Sequence, residues 1–369
     1  MLSCSFETRL TLSCNWGNFI LNSHYDRVRY TRIVFVHEYK LEAEERKHVL
    51  NKFVKTLRGL GVGLGVVLLA GCGHAAAQKT PPVSHALSIV DDTGRTVTLS
   101  GPATRIVTIA PSNTEIALDL GLRKNIVGAD AMSFEYTPAP WSRELKGLHN
   151  IGPSFPAVSI ERIIATKPNL VLAIPGVKGL SQLQHFHIPV IILSPQNIQG
   201  VYHDIQIVGR ATGRTRQANQ VVAHLQAQFA RLQQLVHKEV RHKPTVFLDL
   251  GQLYSAGTDS YLNNLITMAG GQNIAAQFTH SAYPELTAEQ VVKANPVDIV
   301  YDPSDASQHA ITTLPGFSHV RAVRNHHVIA MTQPSYIDQP SPALAMGLAE
   351  LIHLLHPHVV LPHDLSQAS

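Results

Sequence analysis

From about residue 86 onward, short aliphatic and β-branched runs alternate with segments whose apolar residues recur every three or four positions. That alternation predicts strands interleaved with helices. Leu87–Val90 and Thr96–Leu99 flank Asp91-Asp92-Thr93-Gly94-Arg95 and read as a hairpin. Strands follow at Arg105–Ala110, Asn125–Gly128, Leu170–Ala173 and Val190–Leu193, with helices at Ser159–Thr166, Leu180–Phe186 and Val201–Ala211. Ser112-Asn113-Thr114-Glu115 has the Ser-x-x-Glu spacing of a capping box and predicts a helix from Ser112 to near Gly121. Continuous apolar strands in this order imply a mainly parallel sheet covered on both faces.

Thr215–Val240 carries the longest helical pattern, with Val221, Val222, Leu225, Phe229, Leu232, Leu235 and Val236 apolar and no Gly or Pro. A second α/β series follows: Thr245–Leu250, a helix at Tyr261–Ala269, a helix at Ala288–Ala294, strands at Ile299–Tyr301 and Val328–Ala330, and a helix from Pro342 to Leu355. The reading is α/β, an N-terminal lobe at 86–212 and a C-terminal lobe at 243–357, bridged by a helix over 213–242 and trailed by a tail at 358–369. A repeat ties the lobes together. Ser159-Ile-Glu161-Arg-Ile-Ile-Ala-Thr-Lys-Pro168 and Thr287-Ala-Glu289-Gln-Val-Val-Lys-Ala-Asn-Pro296 share a Ser/Thr, a Glu two residues on and a Pro, and each precedes a strand.

Ahead of residue 86 the pattern changes. Lys52, Lys55 and Arg58 lead into Gly59–Ala70, which carries no charge and ends in Leu69-Ala70-Gly71-Cys72. About 18 Å of helix is too short to span a bilayer core of about 30 Å and suits an export signal. The ending resembles a bacterial lipobox, so 49–72 is read as a lipoprotein signal with Cys72 the lipidation site, and 73–85 as a flexible tether. Residues 1–48 read as a non-native extension, with the start expected at Val49 or Leu50.

Charge then sharpens the picture. The chain's formal charge is +4, but residues 1–71 hold 10 Lys+Arg against 6 Asp+Glu, and the rest balances at 20 of each. A neutral main body gives no electrostatic reason to expect nucleic acid as a partner. The three cysteines are Cys4, Cys14 and Cys72, which excludes a disulfide, a thiolate metal site or a thiol nucleophile beyond Cys72. There is no phosphate loop, no Gly-x-Ser-x-Gly elbow and no His-Glu-x-x-His. An enzyme is not expected. Histidine is abundant, 21 in all, yet His326-His327 would point apart on a regular element and the group from His353 to His363 sits at the C-terminal edge. No dedicated metal site is expected.

Glu161 and Glu289 each fall in a helix's first turn, where the dipole alone favours a carboxylate. Their recurrence in two lobes points further, to matched acidic knobs for a partner with two related halves offering arginines. Phe134, Tyr136 and Phe155 in the first lobe, and Tyr254, Tyr283 and Tyr336 in the second, follow strands, on the loops where open α/β sheets bind ligands. Trp141, just after Pro138 and Pro140, is a candidate rim residue, and Asp338 is the one acid of the Tyr336 loop, placed to accept from a ligand amide or hydroxyl.

Asp91-Asp-Thr-Gly-Arg95, Arg105-Ile-Val-Thr-Ile-Ala-Pro-Ser-Asn-Thr-Glu115, Ser159–Val171 and Ala269-Gly-Gly-Gln-Asn-Ile274 together resemble the vitamin B12- and iron-siderophore-type (class III) substrate-binding proteins of ABC importers, over about residues 86–357. The resemblance implies two Rossmann-like lobes joined by one rigid helix, with little closing motion. It implies that Glu161 and Glu289 dock on arginines of a permease dimer that works with ATPase subunits, and that a flat chelate lies between the lobes. Ser112 and Asn113 join the ligand-binding candidates on this ground, and Phe155 and Tyr283 match aromatic positions that hold a corrinoid. Pro111-Ser-Asn-Thr-Glu115 and Pro334-Ser-Tyr-Ile-Asp-Gln-Pro-Ser-Pro342 lean to the B12 branch, although Gln339 and Ala343 stand where that branch often carries Arg. The expectation is a monomeric, lipid-anchored carrier of a corrinoid, with a ferric siderophore or haem as the alternative, and a free-metal binder or an enzyme on a similar scaffold beyond that. No resident cofactor is expected.

Overall fold

The computed structural model describes residues 86–366. The extension at 1–48, the signal with Cys72 and the tether at 73–85 lie outside the described residues. Among the described residues no helix is long and apolar enough to cross a membrane.

The hairpin is formed by β1 (Leu87–Val90) and β2 (Thr96–Leu99), paired antiparallel with Leu87 opposite Leu99. Asp91 shapes its turn by accepting from the Thr93 and Arg95 backbone N–H groups at 3.0 and 3.1 Å. The first lobe then runs β3 (Ile106–Thr108), α1 (Pro111–Asp119), β4 (Ile126–Ala129), α2 (Ala131–Tyr136), α3 (Ile160–Ala165), β5 (Leu170–Ala173), β6 (Val190–Ile192) and α4 (Ile198–Ala211). All strand pairs are parallel, in the order β4-β3-β5-β6. After α5 (Thr215–Glu239), the second lobe runs β7 (Thr245–Asp249), α6 (Tyr261–Met268), β8 (Gln272–Asn273), α7 (Ala288–Ala294), β9 (Asp298–Tyr301), α8 (Gln308–Thr312), α9 (Arg321–Arg324), β10 (Val328–Ala330) and α10 (Leu344–Leu355), with a final turn, α11 (His363–Ser366). Its sheet is also parallel, in the order β10-β9-β7-β8. Counting strands within each lobe, both sheets read 2-1-3-4. The fold is α/β, two Rossmann-like lobes joined by one long helix.

The repeat seen in the sequence occupies the same place in both lobes, the helix before the third strand. Ser159 caps α3 by accepting from the Arg162 N–H at 3.3 Å, and Thr287 caps α7 in a full capping box with Gln290. Each helix is followed by a left-handed residue ahead of the proline, Lys167 (φ 51°) and Asn295 (φ 49°).

Three expectations are corrected. The segment 180–186 is a 3-10 helix rather than an α-helix. Ser112 does not cap α1. Pro111 opens the helix with its fixed φ and absent N–H, so the N-cap is Ala110 (φ 85°, ψ 145°), with no side-chain cap. Ser112 and Glu115 are thereby drawn inside and buried. Trp141 is likewise no rim residue: it is 7% exposed and donates from Nε1 to Asp119 at 2.6 Å.

Three apolar cores hold the molecule. One belongs to the first lobe, around Val107, Ile151, Ile163 and Val171, and one to the second, around Phe247, Ile299 and Phe317. The third is shared: Ile116 and Leu118 of α1, Ile205 and Val208 of α4, Leu225, Phe229 and Leu232 of α5, and Leu348 and Ile352 of α10 form one cluster. The stripe Ala218, Val222, Leu225, Phe229, Leu232 and Val236 buries one side of α5, about 37 Å long, along both lobes. Gly209 lets α4 lie against α5, since a Cβ there would fall 2.4 Å from that of Ala218. Arg231 on the other side of α5 pairs with Asp364 of α11, at 3.0 and 3.2 Å.

Glu115 lies at the seam between the lobes. It is fully buried in α1, and neither carboxyl oxygen has a hydrogen bond of good length and angle. Burial pushes its pKa up to about 8; Ser341 and the Ala343 backbone, from the second lobe, favour the charged form but do not offset it. The folded pKa exceeds the value of 4.5 for an unperturbed glutamate. Stability from the bound proton is therefore complete below about pH 4.5 and is lost as pH rises to about 8. Glu115→Gln is expected to match the wild type at pH 5 and to exceed it at pH 8.5 by roughly 2–4 kcal/mol, measured by urea unfolding. Equal stability gaps at the two pH values would show that Glu115 is charged in the fold.

Candidate functional site

Parallel sheets of order 2-1-3-4 expose the carboxyl ends of their strands along one edge, and loops leaving that edge form a ligand crevice. Here the two edges face one another. Ser112 and Asn113 after β3, Ile174 and Pro175 after β5, and Leu193 and Gln196 after β6 line one wall, with Asp204 of α4 behind them. Asp259 and Tyr261 after β7, Tyr283 after β8, and Asp338 and Gln339 after β10 line the other. The cleft between them encloses about 600 Å³ of empty space, open solvent included.

Each wall is held by one buried acid. In the first lobe, Asp130 caps α2 and ties two loops to it. Its Oδ1 accepts from the Ala110 N–H at 3.2 Å, and from the Ser133 N–H and hydroxyl at 3.1 and 2.5 Å; its Oδ2 accepts from Ser154 at 2.6 Å. This fixes Ala110 at positive φ, a conformation that costs a non-glycine residue about 1–3 kcal/mol and that aims the start of α1 at the cleft. In the second lobe, Glu350 of α10 accepts at Oε1 from the Thr332 N–H and hydroxyl and the Gln333 N–H, at 2.6, 2.7 and 3.0 Å. The loop it holds lies flat on Gly347, where a Cβ would fall 2.2 Å from the Ile337 side chain. Tyr261 donates to the Ile337 carbonyl at 2.9 Å and completes the support for Asp338.

Of the ligand-binding candidates named from sequence, Ser112, Asn113, Tyr283 and Asp338 meet in the cleft. The others do not line it. Phe134 and Tyr136 lie on α2, Phe134 packed on the shared core and the Tyr136 hydroxyl donating to Glu135 at 3.2 Å. Phe155 packs on the first-lobe core. Tyr254 is half-buried, its pKa raised by burial and by Glu285. Tyr336 is buried in the shared core, 6% exposed. Sequence reasoning passed over Asp204, Asp259, Tyr261 and Gln196. Asp204 had left a signal: it interrupts the buried stripe Val201, Ile205, Val208 of α4, where an aliphatic residue is expected.

The cleft's electrostatics are one-sided. Among the described residues, three carboxyls line it, those of Asp204, Asp259 and Asp338, and no Lys, Arg or His does. Asp204 is 1% exposed, and neither oxygen has a hydrogen-bond donor. Burial and the neighbouring Asp92 carboxylate raise its pKa well above the usual carboxylate range. Asn113 is fully buried; its Nδ2 donates to the Ile109 carbonyl at 2.7 Å and its Oδ1 has no partner. A buried acceptor left unpaired costs about 1–3 kcal/mol.

The two knobs have the opposite character. Glu161 and Glu289 are exposed at the starts of α3 and α7. In each, the pKa is lowered by the residue's own backbone N–H and by the capping hydroxyl, of Ser159 or Thr287. Both are held as fixed surface anions. Among the described residues no three His, Cys, Asp or Glu side chains are grouped to hold a metal ion.

Comparison with known proteins agrees with this architecture. An ABC transporter substrate-binding lipoprotein of Bacillus subtilis, YvrC, itself uncharacterised, is 28% identical over 80% of this chain and 95% of its own length. A cobalamin-binding protein of Halobacterium salinarum is 28% identical over 80% of this chain and 83% of its own. The crystal structure of an ABC-type Fe3+-hydroxamate transport system from Saccharomonospora viridis superposes with a TM-score of 0.60 at 26% identity, covering 72% of this chain and 97% of that one. The periplasmic binding protein family matches residues 106–334. A cleft between twinned lobes is the working part of a carrier, and the chain belongs to the periplasmic binding protein family.

Proposed function

We propose that this substrate-binding protein of an ABC importer is anchored outside the cytoplasmic membrane through a lipidated Cys72, captures a metal chelate, with a corrinoid as the first choice, and delivers it to a permease dimer. The observation that carries the reading is the pair of 2-1-3-4 sheets whose strand ends converge on one cleft. The apolar and aromatic lining, Ile116, Ile174, Leu193 and Tyr283, suits the face of a bulky ligand, with a few polar groups to orient it. The cobalamin-binding relative supports a corrinoid, and the hydroxamate transport neighbour supports the ferric-siderophore alternative. The lipoprotein relative supports the anchor, in which two acyl chains would hold where one would not.

Three outcomes are expected. Calorimetry on the purified chain with cyanocobalamin, a ferric hydroxamate, haem and Zn²⁺ should give binding to a chelate, and a bound chelate should absorb visible light; binding of Zn²⁺ alone would point to the free-metal reading. Glu161→Ala/Glu289→Ala should keep the wild-type ligand affinity and abolish uptake in cells; unchanged uptake would remove the docking role. Cys72→Ser should move the protein from the membrane fraction to the soluble one and end its labelling by radioactive palmitate; retention with label would place the anchor elsewhere.

A further inference from the structure

The cleft leaves buried hydrogen-bond acceptors without donors, and they lie together on the first-lobe wall. Asp204 Oδ1 and Oδ2 and Asn113 Oδ1 are all unpartnered, at 1% and 0% residue exposure. The two residues come from different elements, α4 and α1, and both line the cleft. Their identities are fixed by geometry. The Nδ2 of Asn113 is engaged with the Ile109 carbonyl at 2.7 Å, so the amide has only its oxygen to offer. Asp204 faces Asp92, whose Oδ2 already accepts the Ser194 N–H at 2.5 Å. The hairpin turn that carries Asp92 is itself tied to β6, with the Asp92 N–H donating to the Ile192 carbonyl at 3.1 Å and the Ile192 N–H to Asp91 at 3.2 Å. The acid pair is thus built into the wall.

Across the cleft stand two further carboxyls, Asp259 and Asp338, and among the described residues no cationic side chain lines either wall. On α4 the nearest basic residues in sequence, His203 and Arg210, are exposed to solvent. The protein therefore offers unpaired acceptors on the first wall and carboxyls on both, and the ligand must supply donors. An unpaired buried polar group calls for a partner, and at a cleft wall an entering ligand can be that partner.

We propose that Asp204 and Asn113 are the specificity-determining contacts of the cleft, and that they select a chelate presenting ammonium or amide N–H groups against one presenting carboxylates or catecholates. This rests on the chelate-carrier reading above and narrows it to a ligand class. An N–H donor that reaches this wall satisfies Asn113 Oδ1 and an Asp204 oxygen. An anionic chelate meets three carboxyls and no counter-charge, in a site where charges are weakly screened.

The test is calorimetric titration of the wild-type chain and two variants, Asp204→Asn and Asn113→Ala, with four probes. Cyanocobalamin carries amides and ferrioxamine B a pendant ammonium; ferric enterobactin and haem are anionic. The wild type is expected to bind at least one donor-bearing probe at least about 100-fold more tightly than either anionic probe. Asp204→Asn, nearly isosteric, should weaken that binding about tenfold or more, roughly 1.4 kcal/mol, and narrow the gap to the anionic probes. Asn113→Ala should weaken the same probe with an unaltered thermal melt. Equal binding of anionic and donor-bearing probes, or unchanged affinity in both variants with their folds intact, would overturn the assignment while leaving the carrier reading in place. Binding of none of the four probes by the wild type would overturn the chelate reading, and the assignment with it.

Discussion

The structure depends on one shared hydrophobic core. The two sheets share no strand pairing. What holds them in register is a continuous set of apolar contacts through α1, α4, α5 and α10, with the buried stripe of α5 running along both lobes. Burying an aliphatic or aromatic side chain contributes about 1.5–3 kcal/mol, and such contacts are lost when packed elements separate. A wide hinge motion would have to part this cluster. The lobes are therefore held close to one arrangement, and the cleft is shaped before a ligand arrives. In such a site, selectivity is set by what the walls offer rather than by how they close.

Duplication explains why two walls and two knobs exist at all. The same four-strand order, the same hydroxyl cap, the same left-handed residue before a proline and the same first-turn glutamate recur in each half. The acidic residues then diverge by environment. Glu161 and Glu289, exposed at helix starts, stay ionised. Glu115 and Asp204, both buried, hold protons more tightly. The same functional group serves outside as a fixed charge and inside as a neutral or shared one.

Much of this was legible in the sequence. Strand and helix periodicities located the longer elements of both lobes, and the Glu161 and Glu289 repeat marked topologically equivalent helices. The failures share a physical cause: local pattern carries no information on which way a loop side chain faces. Ser112-x-x-Glu115 matched a capping box, but Pro111 starts the helix one residue earlier and turns both residues inward. Tyr336 follows a strand as the binding reading required, yet the loop is pressed onto Gly347 and Tyr336 joins the core. Short elements such as α8 and α9 were passed over because four or five residues are too few to show a period.

Asp204 shows what sequence reading can recover once burial is considered. A carboxyl in the middle of an apolar helical stripe is costly, and a helix whose sole purpose was packing would carry an aliphatic residue there. Its neighbour on the hairpin is another acid where a lysine or arginine would have satisfied it, so the structure does not spend Asp204 on an internal ion pair. Contrast Asp130, equally buried, whose oxygens accept four hydrogen bonds and fix two loops. Asp130 is complete and serves the frame. Asp204 is incomplete, lines the cleft, and has its remaining capacity directed at what enters there.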